Sequence, residues 1–392
     1  MALKVSILAS ALVLGSSVAG QAEPKMAAKE KDIKNAIPIK VCIPASREEY
    51  LTLEVIEAQD RGFFKEEGLA VELIPVREVS KEMVQTKAGP LPVKAVADRG
   101  VAKAVTEKKC EFGTSMVESL ALPEAQNMLP KIRPMFIAMY GEGYDTHLVV
   151  PKDSPVKTVS DLKGKRVRVG QLPVYIAMHN MLKEAGLKNG DVKMDNLGNP
   201  ARALAQMESG KIAAAVTYVP TMPYMLASGK VRILKSNIMK SYVAPAVPHS
   251  MVIASEEYAA ASPEVLRKFA AAIRKSNDYF TRNPVEAIRV FQRHSADLLK
   301  FAEWKVDNVI VEKAASFVGK MQHMDLTAEG PQKDREQATK LVAQYLELIR
   351  DFGFTSVRTD LTPWLNWAQA QPPATAAKTQ EKVSLLERRY QN

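Results

Sequence analysis

Cysteine is nearly absent: Cys42 and Cys110 are the only two in 392 residues, too few for a disulfide-stapled scaffold and without the paired spacing of a zinc site. Histidine is scarce too, and the five present (His147, His179, His249, His294 and His323) show no H-x-x-x-H spacing. The P-loop, the G-x-S-x-G nucleophile elbow and the G-x-G-x-x-G dinucleotide pattern are all missing. From these absences no catalytic residue, no metal ligand and no cofactor is expected. The formal charge is +10, yet no five basic residues stand together. The excess is therefore spread along the chain, unlike the one-sided basic face of a nucleic-acid binder, and no nucleic acid is expected as a partner. Beyond the first two dozen residues no long apolar run occurs, so no membrane span is expected.

What is present suffices for a globular protein of two domains. The chain is 46% hydrophobic and 392 residues long, enough for two cores of ordinary size without metal staples. Its start reads as a secretory signal: Lys4, then an apolar run from Val5 to Val18, then small residues with cleavage sites after Ala19 or Ala22. Residues 1–22 are thus expected to be a signal peptide. No cysteine stands at the cleavage region, so a lipid anchor there is excluded. In an oxidising compartment Cys42 and Cys110 either form one disulfide or remain two buried thiols.

Residues 23–37 lack apolar periodicity and read as a mobile leader. A strand at 39–43, a helix at 51–61 and a strand at 71–76 make a β-α-β unit. The stretch 77–97 carries turn chemistry at Gly89-Pro90-Leu91-Pro92 and little pattern. A helix at 98–109 and a strand at 111–115 leading into a helix follow, then a strand at 147–150. A second cycle runs through a strand at 167–169, a helix at 174–185 and a strand at 213–217. Strands alternating with helices of this length indicate doubly wound, mostly parallel α/β structure. The later half is helical at 263–280, 284–294, 303–319 and 335–352, with Ser262-Pro263 and Asn283-Pro284 as helix starts. Residues 366–392 read as a flexible tail.

Three segments carry a family resemblance. Ala58-Gln59-Asp60-Arg61-Gly62-Phe63-Phe64-Lys65-Glu66-Glu67-Gly68-Leu69 resembles the A-x-x-x-G-F-F-x-x-E-G-L segment of taurine-, sulfonate- and nitrate-type ABC substrate-binding proteins, whose superfamily includes the thiamine-pyrimidine synthases. Val159-Ser160-Asp161-Leu162-Lys163-Gly164-Lys165-Arg166-Val167 is similar to the D-L-K-G-K-x-V that opens their second lobe. Met207-Glu208-Ser209-Gly210-Lys211-Ile212-Ala213-Ala214-Ala215-Val216 is similar to L-x-x-G-x-V-D-A-A-V. The three occur in family order and spacing. Physically they are scaffold motifs: a helix ending at Gly62 with two aromatics against the sheet, and a surface turn that delivers Val167 and Val169 into a second sheet.

The resemblance implies a two-lobed, type II periplasmic binding protein, each lobe an α/β sheet. Residues 38–145 plus 246–365 would form lobe 1 with the C-terminal helices, and 146–245 lobe 2, with hinges near 144–147 and 243–250. It implies a monomer in the periplasm that takes a small organic solute to an ABC permease in the inner membrane. An enzyme resembling the pyrimidine-precursor synthases, or a sensor partner, is the alternative on this fold.

In open α/β sheets ligands bind beyond the carboxyl ends of strands, which selects Ser46, Arg47, Tyr50, Thr114, Ser115, Gln171, Val174 and Tyr218 as ligand-binding candidates. Thr114 and Ser115 have helix capping as the competing role, Tyr218 has core packing, and Arg47 a solvated loop position. Gln171 stands where relatives often carry Ser or Thr. Tyr218-Val219-Pro220 replaces a common W-E-P, and Ala213 replaces the aspartate of D-A. Both departures imply a less charged second-lobe wall and a less polar solute.

Overall fold

The computed structural model describes residues 35–45, 49–77, 83–92, 100–121, 128–140, 146–195, 200–300, 304–319 and 322–353. The first two candidates, Ser46 and Arg47, lie outside the described residues, as do the signal segment, nearly all of the leader, the 144–145 part of the first expected hinge and the tail.

In chain order the strands are β1 (Ile37–Pro44), β2 (Leu69–Val76), β3 (Met83–Thr86), β4 (Gly89–Pro92), β5 (Phe112–Met116), β6 (Ile132–Tyr140), β7 (His147–Pro151), β8 (Arg166–Arg168), β9 (Lys193–Asp195), β10 (Ala214–Thr217), β11 (Val231–Lys235), β12 (Val247–Ser255) and β13 (Gln322–Asp325). Six of them form one sheet, ordered β13-β6-β12-β5-β1-β2, and five form another, β11-β7-β10-β8-β9. This is the two-sheet α/β architecture that the motifs imply. Both sheets are mixed. β1, β2 and β5 are parallel, as are β8, β9 and β10. The remaining neighbouring pairs are antiparallel, so β12 and β13 in the first sheet and β7 in the second run against the other strands.

Each motif does local work that its residue types explain. Gly62 ends the helix Tyr50–Asp60 at φ +77°, a conformation that costs an L side chain steric energy. Phe64 is then buried and stacks on Phe269, with ring centroids 5.1 Å apart, while Phe269 stacks on Phe112 at 4.1 Å. Phe63 is half-buried at the edge of the same core. In the second motif Asp161 accepts from the backbone N–H groups of Lys157 and Thr158 at 2.9 and 2.8 Å. Those backbone bonds hold its carboxyl below the ordinary range. The turn continues through Gly164 into β8, where Val167 is fully buried, as is Val169 just beyond.

Four local expectations are corrected. Residues 83–92, within the weakly patterned stretch, form the β3–β4 hairpin. Its tip is closed by Thr86 Oγ1, which donates to the Gly89 carbonyl at 2.7 Å, and its backbone packs on the end of the last helix, Gln332–Phe352. There Lys87 N donates to Phe352 O at 2.8 Å, and a Cβ on Gly353 would stand 2.8 Å from Thr86 Cα. Four-residue strands are too short for a period-2 signal, which explains the miss. Thr114 and Ser115 do not open a helix. They lie inside β5, and the 3-10 turn Val117–Ala121 follows it directly. Asn283-Pro284 does not cap a helix either, since the helix begins at Glu286 after Val285. Ser262-Pro263 does open the helix Pro263–Arg282. The helical stretch expected at 303–319 is shorter, Asn308–Ala314 followed by a 3-10 turn to Phe317, and it packs on Thr221–Ala227 beside the second sheet. Tyr224 meets Trp304 edge to face at 5.2 Å, and its hydroxyl accepts from Asp307 N at 3.4 Å.

The two cysteines are joined. Cys42 lies in β1 and Cys110 just before β5, the neighbouring strand, with Cα atoms 5.8 Å apart. The crosslink closes a loop of 68 residues, which in the chain-entropy model stabilises by about 4 kcal/mol. Replacing both cysteines by serine is expected to lower the unfolding free energy by up to that amount. Urea midpoints of the oxidised protein and the double variant measure it, and equal midpoints would remove the disulfide from the stability account.

Candidate functional site

The strand directions bring one end of each sheet to a common seam. In the first sheet, β1, β5 and β6 end there, and β12 begins there with Val247 opposite Tyr140. In the second sheet, β8 and β10 end and β7 begins at the corresponding edge, with Thr217 opposite His147. These edges carry polar side chains that are nevertheless buried: Glu49, Thr114, Ser115, Glu118, His249 and Ser250 on one side, Thr146, Arg168, Gln171, Thr217 and Thr221 on the other. Burial of so many polar groups is costly unless they are paired with one another or with something bound.

A hydrogen bond joins the two strand-end edges directly. Tyr140 Oη donates to Gln171 Oε1 at 3.2 Å, and both residues are 1% exposed. The Tyr140 ring stacks on His249 at 4.4 Å. His249 Nδ1 stands 4.0 Å from Glu118 Oε1, an ion-pair distance and not a hydrogen bond. Glu118 Oε1 accepts from Tyr345 Oη at 3.0 Å. Burial pushes the Tyr345 hydroxyl well above its ordinary range, and the neighbouring Glu118 adds to that. A polar chain thus runs from the last helix to the second sheet.

The candidates fall into two groups. Gln171 and Tyr218 both stand at the second sheet's edge. Gln171 stands at the N-terminus of the helix Leu172–Glu184 without a side-chain capping bond. The Tyr218 ring and hydroxyl lie over Gly170, 3.7 Å from where a Cβ would be. Val174 is fully buried in that helix. At the first sheet, Thr114 shares a 2.7 Å hydrogen bond with Thr52 and Ser115 one of 3.1 Å with Ser119. Both hydroxyls tie β5 to its neighbours rather than cap a helix. Tyr50 packs edge to face on Phe280 at 5.4 Å and on His323 at 5.7 Å.

Sequence reasoning missed Tyr140, Arg168, Glu118 and His249. Arg168 is a charged group at the second sheet's edge that the reading from Val219 and Ala213 did not include. It is 2% exposed, and a guanidinium N–H donates to the Val216 carbonyl at 3.4 Å. A charged residue at the carboxyl end of a short parallel strand was the available signal, but alternation in Arg166-Val167-Arg168-Val169 reads equally well as a solvated face.

Residues 93–287 match the model of the NMT1/THI5-like family. A putative aliphatic sulfonates-binding protein of Escherichia coli (strain K12) is 36% identical over 92 residues, which are 22% of this chain and 28% of that protein. The chain thus spans little more than a quarter of the curated relative it matches. Among solved structures, the periplasmic aliphatic sulphonate binding protein SsuA from Escherichia coli superposes with a TM-score of 0.56 at 14% identity, covering 88% of this chain and 94% of that one. The desulfurization enzyme DSZB superposes with a TM-score of 0.52 at 13% identity, covering 85% and 99%. No described helix is long and apolar enough to cross a membrane. Motifs, family model and superposition agree: the chain resembles the NMT1/THI5-like family and has the fold of the periplasmic binding proteins of the ABC transporter type.

Proposed function

We propose that this chain is a monomeric solute-binding protein that captures a small organic solute bearing an oxyanion group between its two lobes and delivers it to an ABC permease in the inner membrane. On this reading residues 1–22 direct export to the periplasm and are removed, leaving no lipid anchor. Residues 38–145 and 246–365 form one lobe and 146–245 the other. The observation that carries the reading is the buried polar seam, where edges from both sheets meet through Tyr140 and Gln171. A solute touching both edges stabilises the closed arrangement, because only there are both sets of contacts made. Arg168 and the N-terminal end of the helix Leu172–Glu184 make the second edge electropositive. That favours an oxyanion, and the names of the relatives make aliphatic sulfonates the first class to test. The fold likeness to a desulfurization enzyme supports a second reading, turnover of such a solute.

A thermal-shift screen of the mature protein against short alkanesulfonates, carboxylates and neutral isosteres tests the proposal. A ligand of micromolar affinity at millimolar concentration stabilises by about 4 kcal/mol. Stabilisation by an oxyanion that is recovered unchanged supports capture. Conversion of the compound would replace the binding reading by the enzymatic one, and stabilisation by neutral isosteres alone would overturn the oxyanion assignment.

A further inference from the structure

The hydrogen bond across the seam does more than join two lobes, because it decides which end of an amide is presented. Tyr140 Oη donates to Gln171 Oε1, so the amide oxygen is committed to the first sheet. Among the described residues, Gln171 Nε2 is left as a buried donor without a hydrogen-bond partner. A buried, unmet donor is expensive and calls for an acceptor. Gln171 does not spend its amide on capping, for its side chain makes no bond to the first turn of the helix that it precedes.

Tyr140 is itself held in place. It is the last residue of β6 and pairs with Val247. Its ring is stacked on His249 at an interplanar angle of 29°. His249 occupies the position where the β12–β6 register shifts, between Pro248 and Ser250. The extra residue of such a bulge re-aims a side chain, here setting the imidazole against the Tyr140 ring.

We propose that Tyr140 is a positioning residue, which turns the Gln171 amide so that Nε2 donates to an oxygen of the bound solute and makes the closed site selective for an oxyanion over a donor-bearing isostere. This deepens the solute reading above and rests on it. Two features of the same edge agree with the assigned polarity. The helix that Gln171 precedes is 13 residues long and ends its dipole there, and Arg168, three residues earlier, is a buried cation on the strand leading to it. Tyr140 and Gln171 belong to opposite lobes, so the orientation is imposed only when the lobes are together. Discrimination is thereby a property of the closed state.

The experiment is calorimetric titration of the mature protein with ethanesulfonate and with ethanesulfonamide, in which an N–H donor replaces one oxygen. The wild type is expected to prefer ethanesulfonate. Gln171→Glu keeps the volume and the acceptor for Tyr140 but turns the presented donor into an acceptor. It is expected to weaken ethanesulfonate binding by about a hundredfold or more. Tyr140→Phe frees the amide to flip. It is expected to weaken ethanesulfonate by about tenfold and to narrow the sulfonate-to-sulfonamide preference, which loss of packing alone would not change. Melting curves of both variants close to the wild type show that the fold is kept. If Tyr140→Phe retains the full preference, or Gln171→Glu binds ethanesulfonate as the wild type does, this inference is overturned while the solute reading stands. If the wild type binds neither compound, the oxyanion reading beneath it is overturned instead.

Discussion

Arg293→Ala is expected to destabilise the protein by about 3 kcal/mol, because it strands carboxylates that the fold has already removed from water. The helix Tyr50–Asp60 packs against Glu286–His294 through a charged core. Glu57 and Glu286 are 0% and 2% exposed there. Arg293 reaches both: its guanidinium donates to Glu286 Oε1 and to Glu57 Oε2, each at 2.8 Å, and to Asp60 Oδ2 at 3.0 Å. Arg61 donates to Glu57 Oε1 at 2.6 Å and stands 3.7 Å from Glu286. Even with these partners, burial raises the Glu57 carboxyl above its ordinary range, and the nearby Glu286 adds to that.

Removing Arg293 leaves Arg61 to serve Glu57, and Arg61 and Arg289 to serve Glu286 at longer range, so the loss falls at the lower end of the 3–5 kcal/mol typical of a broken buried pair. Arg293→Lys keeps the charge without the planar fork and should lie between. Urea unfolding of the three proteins gives the comparison. A loss below about 1 kcal/mol for the alanine variant would mean that solvent already satisfies the cluster.

The second large effect is on the pH profile of stability. Glu54 is fully buried, and Asn277 donates to its Oε1 at 3.0 Å. His323 Nε2 lies 3.3 Å from the same oxygen. Burial raises the Glu54 carboxyl well above its ordinary value, against the hydrogen bond from Asn277. Burial also lowers the His323 imidazole to about 3, against the attraction of Asp325. The fold therefore holds a neutral pair where the unfolded chain carries two charges.

The two contributions have opposite signs. His323 is neutral in the fold and takes a proton below 6.5 in the unfolded chain, so its contribution is present above pH 6.5 and lost as pH falls toward 3. Glu54 keeps its proton in the fold after the unfolded chain has lost it at 4.5, so its contribution falls as pH rises from there toward the raised folded value. Above pH 4.5, and up to 6.5, the two slopes oppose each other and flatten the pair's contribution, while below pH 4.5 the loss from His323 alone remains. Glu54→Gln removes one slope. The difference between the wild-type and variant profiles should therefore rise in favour of the variant as pH increases from 4.5, by about 1.4 kcal/mol per unit where one proton is involved. Urea midpoints from pH 3.5 to 8 measure this difference, and a flat difference would show that Glu54 is ionised in the fold.

Much of the architecture was legible along the chain because it depends on neighbours. The end of a helix at Gly62, the turn at Asp161 to Gly164 and the apolar strands that follow need only local backbone geometry and hydrophobic period. Those short-range signals also carried the family resemblance. The 83–92 hairpin was not legible, since its register is held by the distant Gly353 and Phe352. The positions of Gln171 and Tyr218 just beyond strand ends were legible, because strand ends in an α/β sheet mark an edge.

The sequence by itself determined an α/β chain of two sheets and which strand ends lie at their edges, because strand alternation and connection rules act over tens of residues. It left the Cys42–Cys110 pairing open, and the adjacent strands β1 and β5 decided it by bringing the two residues within bonding reach. Only the tertiary structure decided that Arg168 is buried and that Tyr140 meets Gln171 across the seam. Those facts depend on how two separately formed sheets face each other, and no local periodicity records that geometry.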